Sequence, residues 1–335
     1  MSDLSSVRDA VAHGTAAATT TDFVAAQRVN RRNTVLLLIV LTVLAALVGY
    51  MIGWTIEGEA TDSVPLWSRL GVGAAGVMAA ASVGWSLVSL AVGDKLVLGM
   101  ASAKEIDKQD APQLYNVVEE ISIAAGVPMP KVMVLETDAL NAFATGPSVR
   151  RGTIVVTRGL LNALNRDELQ GVVAHEMSHI ANLDTRYMVI VGVTVGLIAL
   201  VCDMLLRTLN WGGSADNRSS SGKKKGSGGG ILIILLLVVA ILAPLAAKAV
   251  QFAVSRQREY LADATSVQFT RNPNGLISAL QKLAEKAAPF PGVSHATQHL
   301  FIVNPVQRFT KDTPAFLATH PDIQDRIARL RNLGA

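Results

Sequence analysis

Residues 165–182 read NRDELQGVVAHEMSHIAN, and the reading of this stretch decides the rest of the chain. Asn165 can cap a helix, and Glu168 three positions on completes the pattern of a capping box. Leu169, Val172 and Val173 then recur at helical spacing, so a helix is expected from here. On that helix His175 and His179 stand one turn apart on one face and can aim two imidazoles at one ion. Glu176 lies about 100° round the helix, close enough to reach a water held beside that ion. Zinc is the natural occupant, because it takes imidazole and carboxylate ligands and keeps one position open for water.

The chain is 335 residues long, half hydrophobic and only 17% charged. That balance is too apolar for an ordinary soluble domain and points to a bilayer. Four apolar runs approach or reach spanning length, at 35–54, 70–92, 187–206 and 231–252. The third carries Asp203 near its end, which counts against a full crossing. Gly49, Gly53, Gly71, Gly73 and Gly76 suit close packing between membrane helices. The net charge of +4 does not point to nucleic acid, given where the charges lie. Arg28, Arg31 and Arg32 precede the first run, Lys95 and Lys104 follow the second, and Glu57, Glu59 and Asp62 lie between. Basic residues stay cytoplasmic, so the N-terminus is expected inside. The basic loop containing Lys223, Lys224 and Lys225 runs against that topology unless the third and fourth runs form a shallow pair. The first run reads as an anchor and not as a removed signal peptide. The lone Cys202 excludes an intramolecular disulfide.

These features divide the chain into a flexible polar tail (1–34), a membrane hairpin (35–92) and a first polar segment carrying the motif (93–186). A second hairpin with a Ser/Gly/Lys-rich loop at 207–230 (187–252) and a second polar segment (253–335) follow. Within the polar segments, 112–125 reads as an amphipathic helix burying Leu114, Val117, Val118 and Ile121. A strand is expected at 131–135, and a pair at 141–145 and 153–157. Helices are expected at 275–288 and 321–333. The fold class is therefore mainly α: multi-pass membrane helices plus a polar domain that carries the HExxH helix and a small β-sheet.

Two histidines do not hold a catalytic metal alone. Asn182 and Thr185 stand where a third histidine-type pattern would need Gly and His, which excludes that arrangement. Glu259 is the better third ligand. Asp263 lies one turn further along the same helix face and can accept the free ring N–H of a ligating histidine. Arg326 reads as a surface charge, with an ion-pairing anchor of its region as the alternative, and His13, His295 and His299 read as non-ligands.

The combination of HEMSHIAN at 175–182, SRQREYLAD at 255–263, NAFATG at 141–146, HLFIVNP at 299–305 and THPDIQDRI at 319–327 resembles the HtpX-like membrane-bound zinc metalloproteases, relatives of the CAAX prenyl proteases. The resemblance covers most of 36–333. It implies a gluzincin-type site with one Zn2+ per chain on His175, His179 and Glu259, with Glu176 as the base. It implies an edge strand at Asn141, Ala142, Phe143 and Ala144 that binds substrate backbone by strand addition. It places His320 near the metal, where it stabilises an oxyanion, occupies the open position in a resting form, or serves structurally. The implied function is cleavage of misfolded or damaged membrane proteins, at the cytoplasmic face of the inner (cytoplasmic) membrane. The alternative is a metal-binding membrane scaffold or chaperone without hydrolysis. The partners expected are protein or peptide substrates and the lipid bilayer.

Overall fold

A computed structural model describes residues 23–61, 67–191, 256–285 and 321–333. The expectations for the tail before residue 23, for most of the third run, for the fourth run, for the 207–230 loop and for His320 lie outside the described residues.

Two long helices come first, α1 (Phe23–Thr61) and α2 (Arg69–Ala101). Each holds a segment long and apolar enough to cross a membrane, Gln27–Gly58 and Arg69–Gly99, with only 6% of each hydrophobic window buried. Such outward apolar surface has its natural solvent in lipid. The helices run antiparallel: Thr42 meets Ser82, Gly49 meets Ala74, and Gly53 meets Leu70. A Cβ on Gly49 or Gly53 would stand 2.5 Å from a backbone carbonyl oxygen of α2, so glycine alone permits this approach. Among the described residues Gly73 and Gly76 face open space and take no part in the α1–α2 crossing. Helix α1 also begins well before the apolar run, inside the stretch expected to be a flexible tail. Gln27 and Asn30 explain this, because both hydrogen-bond to the polar domain.

The polar domain is built on a four-stranded sheet: β1 (Lys104–Glu105), β2 (Lys131–Leu135), β3 (Ala142–Thr145) and β4 (Thr153–Thr157). Their order is β1-β2-β4-β3, with β2 and β4 parallel and the outer pairs antiparallel. Side chains alternate between the faces. Val132, Val134, Ala142, Ala144, Ile154 and Val156 point into the main core. Phe143 and Val155 point the other way, onto Val97 at the end of α2 and Met188. The membrane hairpin is therefore docked on one face of the sheet. Arg151 fastens the dock, donating from Nη2 to the Ala91 carbonyl and pairing with Asp94 of α2.

The other face is covered by helices α3 (Pro112–Ala125), α5 (Arg166–Ala181) and α7 (Pro273–Glu285), with the short α4 (Arg158–Ala163) entering from β4. Helix α3 buries Leu114, Val117, Val118 and Ile121, the face its periodicity predicts. Helix α5 starts at the predicted capping box, with Asn165 and Glu168 satisfying each other's backbone N–H groups. Gly171 of α5 lies against Gly275 and Leu276 at the start of α7; a Cβ there would meet the Leu276 nitrogen at 2.6 Å. This backbone-to-backbone contact lets α5 sink into the core, where it is buried from Leu169 to Ala181 apart from half-exposed Gln170.

Glu168 does more than cap. Its buried carboxylate also accepts from Ser278 Oγ at 2.6 Å and pairs with Lys282 Nζ at 2.7 Å. Burial pushes its pKa up, but the Lys282 and Ser278 contacts outweigh that and hold it below the ordinary 4.5. A carboxylate depressed in the folded state stabilises above its unfolded pKa and loses that contribution as pH falls through the folded value. In thermal unfolding of the detergent-solubilised protein, wild type should therefore exceed Glu168→Gln by about 1–3 kcal/mol at pH 7. The gap should shrink steadily below pH 4.5. A gap constant down to pH 3 would show that this pair contributes nothing through ionisation.

Candidate metal centre

His175, Glu176 and His179 sit on the buried face of α5 that meets α6 (Arg256–Thr270), the helix carrying Glu259 and Asp263. All five side chains are buried. The two histidine Nε2 atoms face one another at 3.3 Å. Each lies 3.7 Å from a Glu259 carboxylate oxygen. The three candidate ligand atoms fall within 4.8 Å of one another, the spacing of donors round a single ion.

The outer nitrogens explain why the inner ones converge. His175 Nδ1 lies 2.9 Å from Asp263 Oδ1, and His179 Nδ1 lies 2.9 Å from Asp184 Oδ2. A carboxylate accepts only, so each Nδ1 carries the donated proton and each Nε2 is left to present a lone pair. Two lone pairs and a carboxylate aimed at one point repel unless a cation lies among them. The residues thus fit a metal ion. The same electrostatics act on a proton: burial lowers the His175 pKa, but the Asp263 and Glu259 carboxylates outweigh it and push the value up to about 9. Burial likewise raises the carboxyl of Glu176; His175 and His179 pull against it, and Glu259 reinforces it.

At Arg326 the structure overturns the favoured surface-charge reading and agrees with the ion-pairing alternative. It lies on α8 (Ile323–Leu333) and is 1% exposed, where a surface charge was expected. Its Nε and Nη2 donate to the two oxygens of Asp263 at 2.9 and 2.7 Å, and Nη1 stands 3.7 Å from Glu259. Burial disfavours its charge, but Asp263 more than compensates and raises its pKa. Asp263 in turn is held below the ordinary carboxylate range, with burial opposing and Arg326 and His175 prevailing. The signal was present in the sequence: Ile323, Arg326, Ile327 and Leu330 form one helical stripe, and an arginine in an apolar stripe needs a buried partner.

Asp184 was missed altogether. It follows the HExxH helix and comes back to His179 through a turn at Leu183, whose φ is 61°. A buried leucine in the left-handed region is strained, by about 1–2 kcal/mol. Thr185 next to it donates to the Gly146 carbonyl at 2.9 Å, tying this turn to the end of β3. Strand β3 is an edge of the sheet and packs on α5. The Asn141 carbonyl accepts from the Thr157 backbone N–H at 3.0 Å, and the Asn141 N–H donates to Thr157 Oγ1 at 3.0 Å. Alternation then turns the backbone groups of Ala142 and Ala144 away from β4. The Ala142 N–H is met by the Asn141 side chain at 3.0 Å.

Helices exposing apolar surface, joined to an HExxH helix whose histidines meet a distant glutamate, define a membrane-associated metalloprotease. The chain belongs to Peptidase family M48, whose model matches residues 108–334. It is 43% identical over 310 residues to the Protease HtpX homolog of Listeria innocua, covering 91% of this chain and 97% of that one. The Protease HtpX homolog of Thermoanaerobacter pseudethanolicus is 39% identical over 307 residues, covering 92% and 96% respectively. Among solved structures, the chain is similar to the one titled Crystal Structure of S. mikatae Ste24p, with TM-score 0.47 and 21% identity over 74% of this chain. The match spans 56% of that longer chain.

Replacing Arg326 by Leu should cost about 3–5 kcal/mol, because it leaves Asp263 as a buried charge with only His175 to meet it. Arg326→Lys should recover less than half of that, since one ammonium cannot reproduce the two-pronged contact. Chemical denaturation of the full chain in detergent checks both; equal stability of Arg326→Leu and wild type would remove Arg326 from the support of the site.

Proposed function

We propose that this chain is a zinc endopeptidase that cleaves misfolded or damaged membrane proteins at the cytoplasmic face of the inner membrane, a quality-control activity. The observation that carries the chemistry is the convergence of His175 Nε2, His179 Nε2 and the Glu259 carboxylate beside buried Glu176. Those three residues would hold the ion. Once bound, zinc supplies a Lewis acid that polarises the scissile carbonyl and acidifies water. Glu176 takes a proton at its carboxylate from the attacking water and returns it to the leaving amine nitrogen. Burial raises its carboxyl above the ordinary carboxylate range, the direction that suits a group that must both accept and release a proton.

The Ala142–Ala144 edge receives an extended substrate as an added strand, with Asn141 shaping its start. Main-chain recognition of this kind makes little demand on sequence, as quality control requires. His320 keeps the role near the metal that the resemblance implies. In this reading 93–186 and 253–335 together form the peptidase, 35–92 and 187–252 are membrane hairpins, and the tail at 1–34 is shortened by the start of α1.

The topology is supported by where the polar domain docks. It is fastened to α1 at Gln27 and Asn30 and to α2 at Ala91 and Asp94. Arg28, Arg31, Arg32 and Lys95 lie at the same ends of the two helices, and basic residues favour the cytoplasmic side. A site held so near the bilayer meets membrane-anchored substrates at high local concentration.

Two measurements test this reading. Purified wild type and Glu176→Gln are compared on an unfolded protein in detergent with zinc supplied. Both should bind one zinc per chain, and the variant should lose 10²–10⁴-fold or more in turnover, roughly the contribution of a positioned base. Cleavage by the variant at the wild-type rate would sink the assignment, and zinc binding without cleavage by either protein would favour a scaffold. Ala144→Pro, in turn, removes an N–H that points away from β4 and spares the ladder. KM for an unfolded substrate should rise about tenfold, the worth of one lost hydrogen bond and its reach. An unchanged KM would move substrate recognition off this edge.

A further inference from the structure

Asn30 belongs to the first apolar helix, yet it is only 5% exposed and faces the metal centre. Its Nδ2 donates to Asp184 Oδ1 at 2.7 Å and to the Asn182 carbonyl at 2.9 Å. Asp184 uses its other oxygen, Oδ2, to hold His179 Nδ1. A carboxylate pinned at both oxygens cannot rotate, so the direction of the His179 ring is set through Asp184 by an amide on α1. Among the described residues Arg258 also faces Asp184, but its Nη1 stands 3.8 Å from Oδ1, an ion pair beyond hydrogen-bond reach, with its guanidinium over the Tyr187 ring. Thr34, one turn along, donates back to the Asn30 carbonyl and is also buried. This face of α1 is thus turned to the polar domain while Arg28, Arg31 and Arg32 stay exposed.

We propose that Asn30 is a positioning residue for the metal centre: through Asp184 it fixes the imidazole of His179, so the first membrane helix completes the ligand set of the peptidase. The proposal rests on the reading of His179 as a metal ligand. It makes the seating of α1 on the polar domain a condition for tight metal binding, in addition to any role as an anchor. Gln27 offers a built-in comparison. It donates to the Ala181 carbonyl at 2.7 Å, one turn earlier on the same helix, and does not touch Asp184.

The test uses the full chain in detergent as wild type, Asn30→Ala and Gln27→Ala. Zinc affinity is measured by competition with a chromophoric chelator, and the visible absorption of the cobalt-loaded proteins reports the ligand field. Asn30→Ala should bind zinc roughly tenfold more weakly, the lower end of what loss of a partner behind a ligating histidine costs. Its cobalt bands should shift. Gln27→Ala should match wild type in both. Wild-type affinity and spectrum in Asn30→Ala would overturn the proposal. So would equal weakening in Gln27→Ala, which would mark the contact as simple docking. If Asn30→Ala does not fold, Asn30→Leu fills the same volume without a donor and is read by the same criteria. Absence of zinc binding by wild type itself would defeat the metal reading; intact wild-type binding with an unaffected Asn30→Ala would defeat this proposal alone.

Discussion

Two buried aspartates, each holding the outer nitrogen of one histidine, are the constraint on which the site depends. An imidazole left to itself rotates and exchanges tautomers. With Asp263 on His175 and Asp184 on His179, both rings are fixed and both Nε2 lone pairs are directed at Glu259. Neither aspartate could do this alone in a buried setting. Asp263 is stabilised by the two-pronged contact with Arg326, and Asp184 by Asn30. Each histidine therefore stands at the end of a short chain of polar contacts, one from the last described helix and one from the first.

The helix packing exists to let those chains meet. Helix α5 is sealed into the core by its capping box at one end and by the Gly171–Gly275 contact at the middle, which removes its freedom to slide. Helix α6 packs across it so that Glu259 and Asp263, one turn apart, address the same histidine from two sides. The sheet contributes by fixing β3 against α5, with the Thr185–Gly146 bond joining the strand's end to the turn that delivers Asp184. The strained φ of Leu183 is tolerated because that turn must carry Asp184 back to His179 within five residues.

What was legible in the sequence was what obeys short periods. The HExxH pair, the capping box, the buried face of α3 and the Glu259–Asp263 pair all repeat every three or four residues, and all stand in the structure as the spacing requires. Glu168 was readable as a cap but not as the partner of Lys282, which lies 114 residues away. Asn30 was hidden for the same reason: 154 residues separate it from Asp184, and its polar surroundings read as solvated tail. The choice at Arg326 between surface charge and ion-pairing anchor stayed open because its neighbours Asp325, Arg329 and Arg331 suggest a solvated helix, although the stripe of Ile323, Ile327 and Leu330 around it is apolar. Among the α2 glycines Gly71 lies at the crossing with α1 and Gly73 and Gly76 do not, a distinction that composition alone does not make.

Charge balance gives the last step. Glu176, Glu259, Asp263 and Asp184 are all at most 5% exposed, and among the described residues Arg326 and Arg258 face this group. A buried carboxylate costs several kcal/mol unless a positive charge or hydrogen-bond donors meet it. Arg326 answers Asp263 with two donors, and Asn30 answers Asp184 with one. The point between the two histidines differs in kind, because two Nε2 atoms 3.3 Å apart and the Glu259 carboxylate converge there. In the proposed reading a divalent ion with a taste for nitrogen suits that set, meeting both lone pairs and the carboxylate at once. The outer aspartates are held by donors of the protein itself, so the inner atoms of the site are the ones left for an ion to organise.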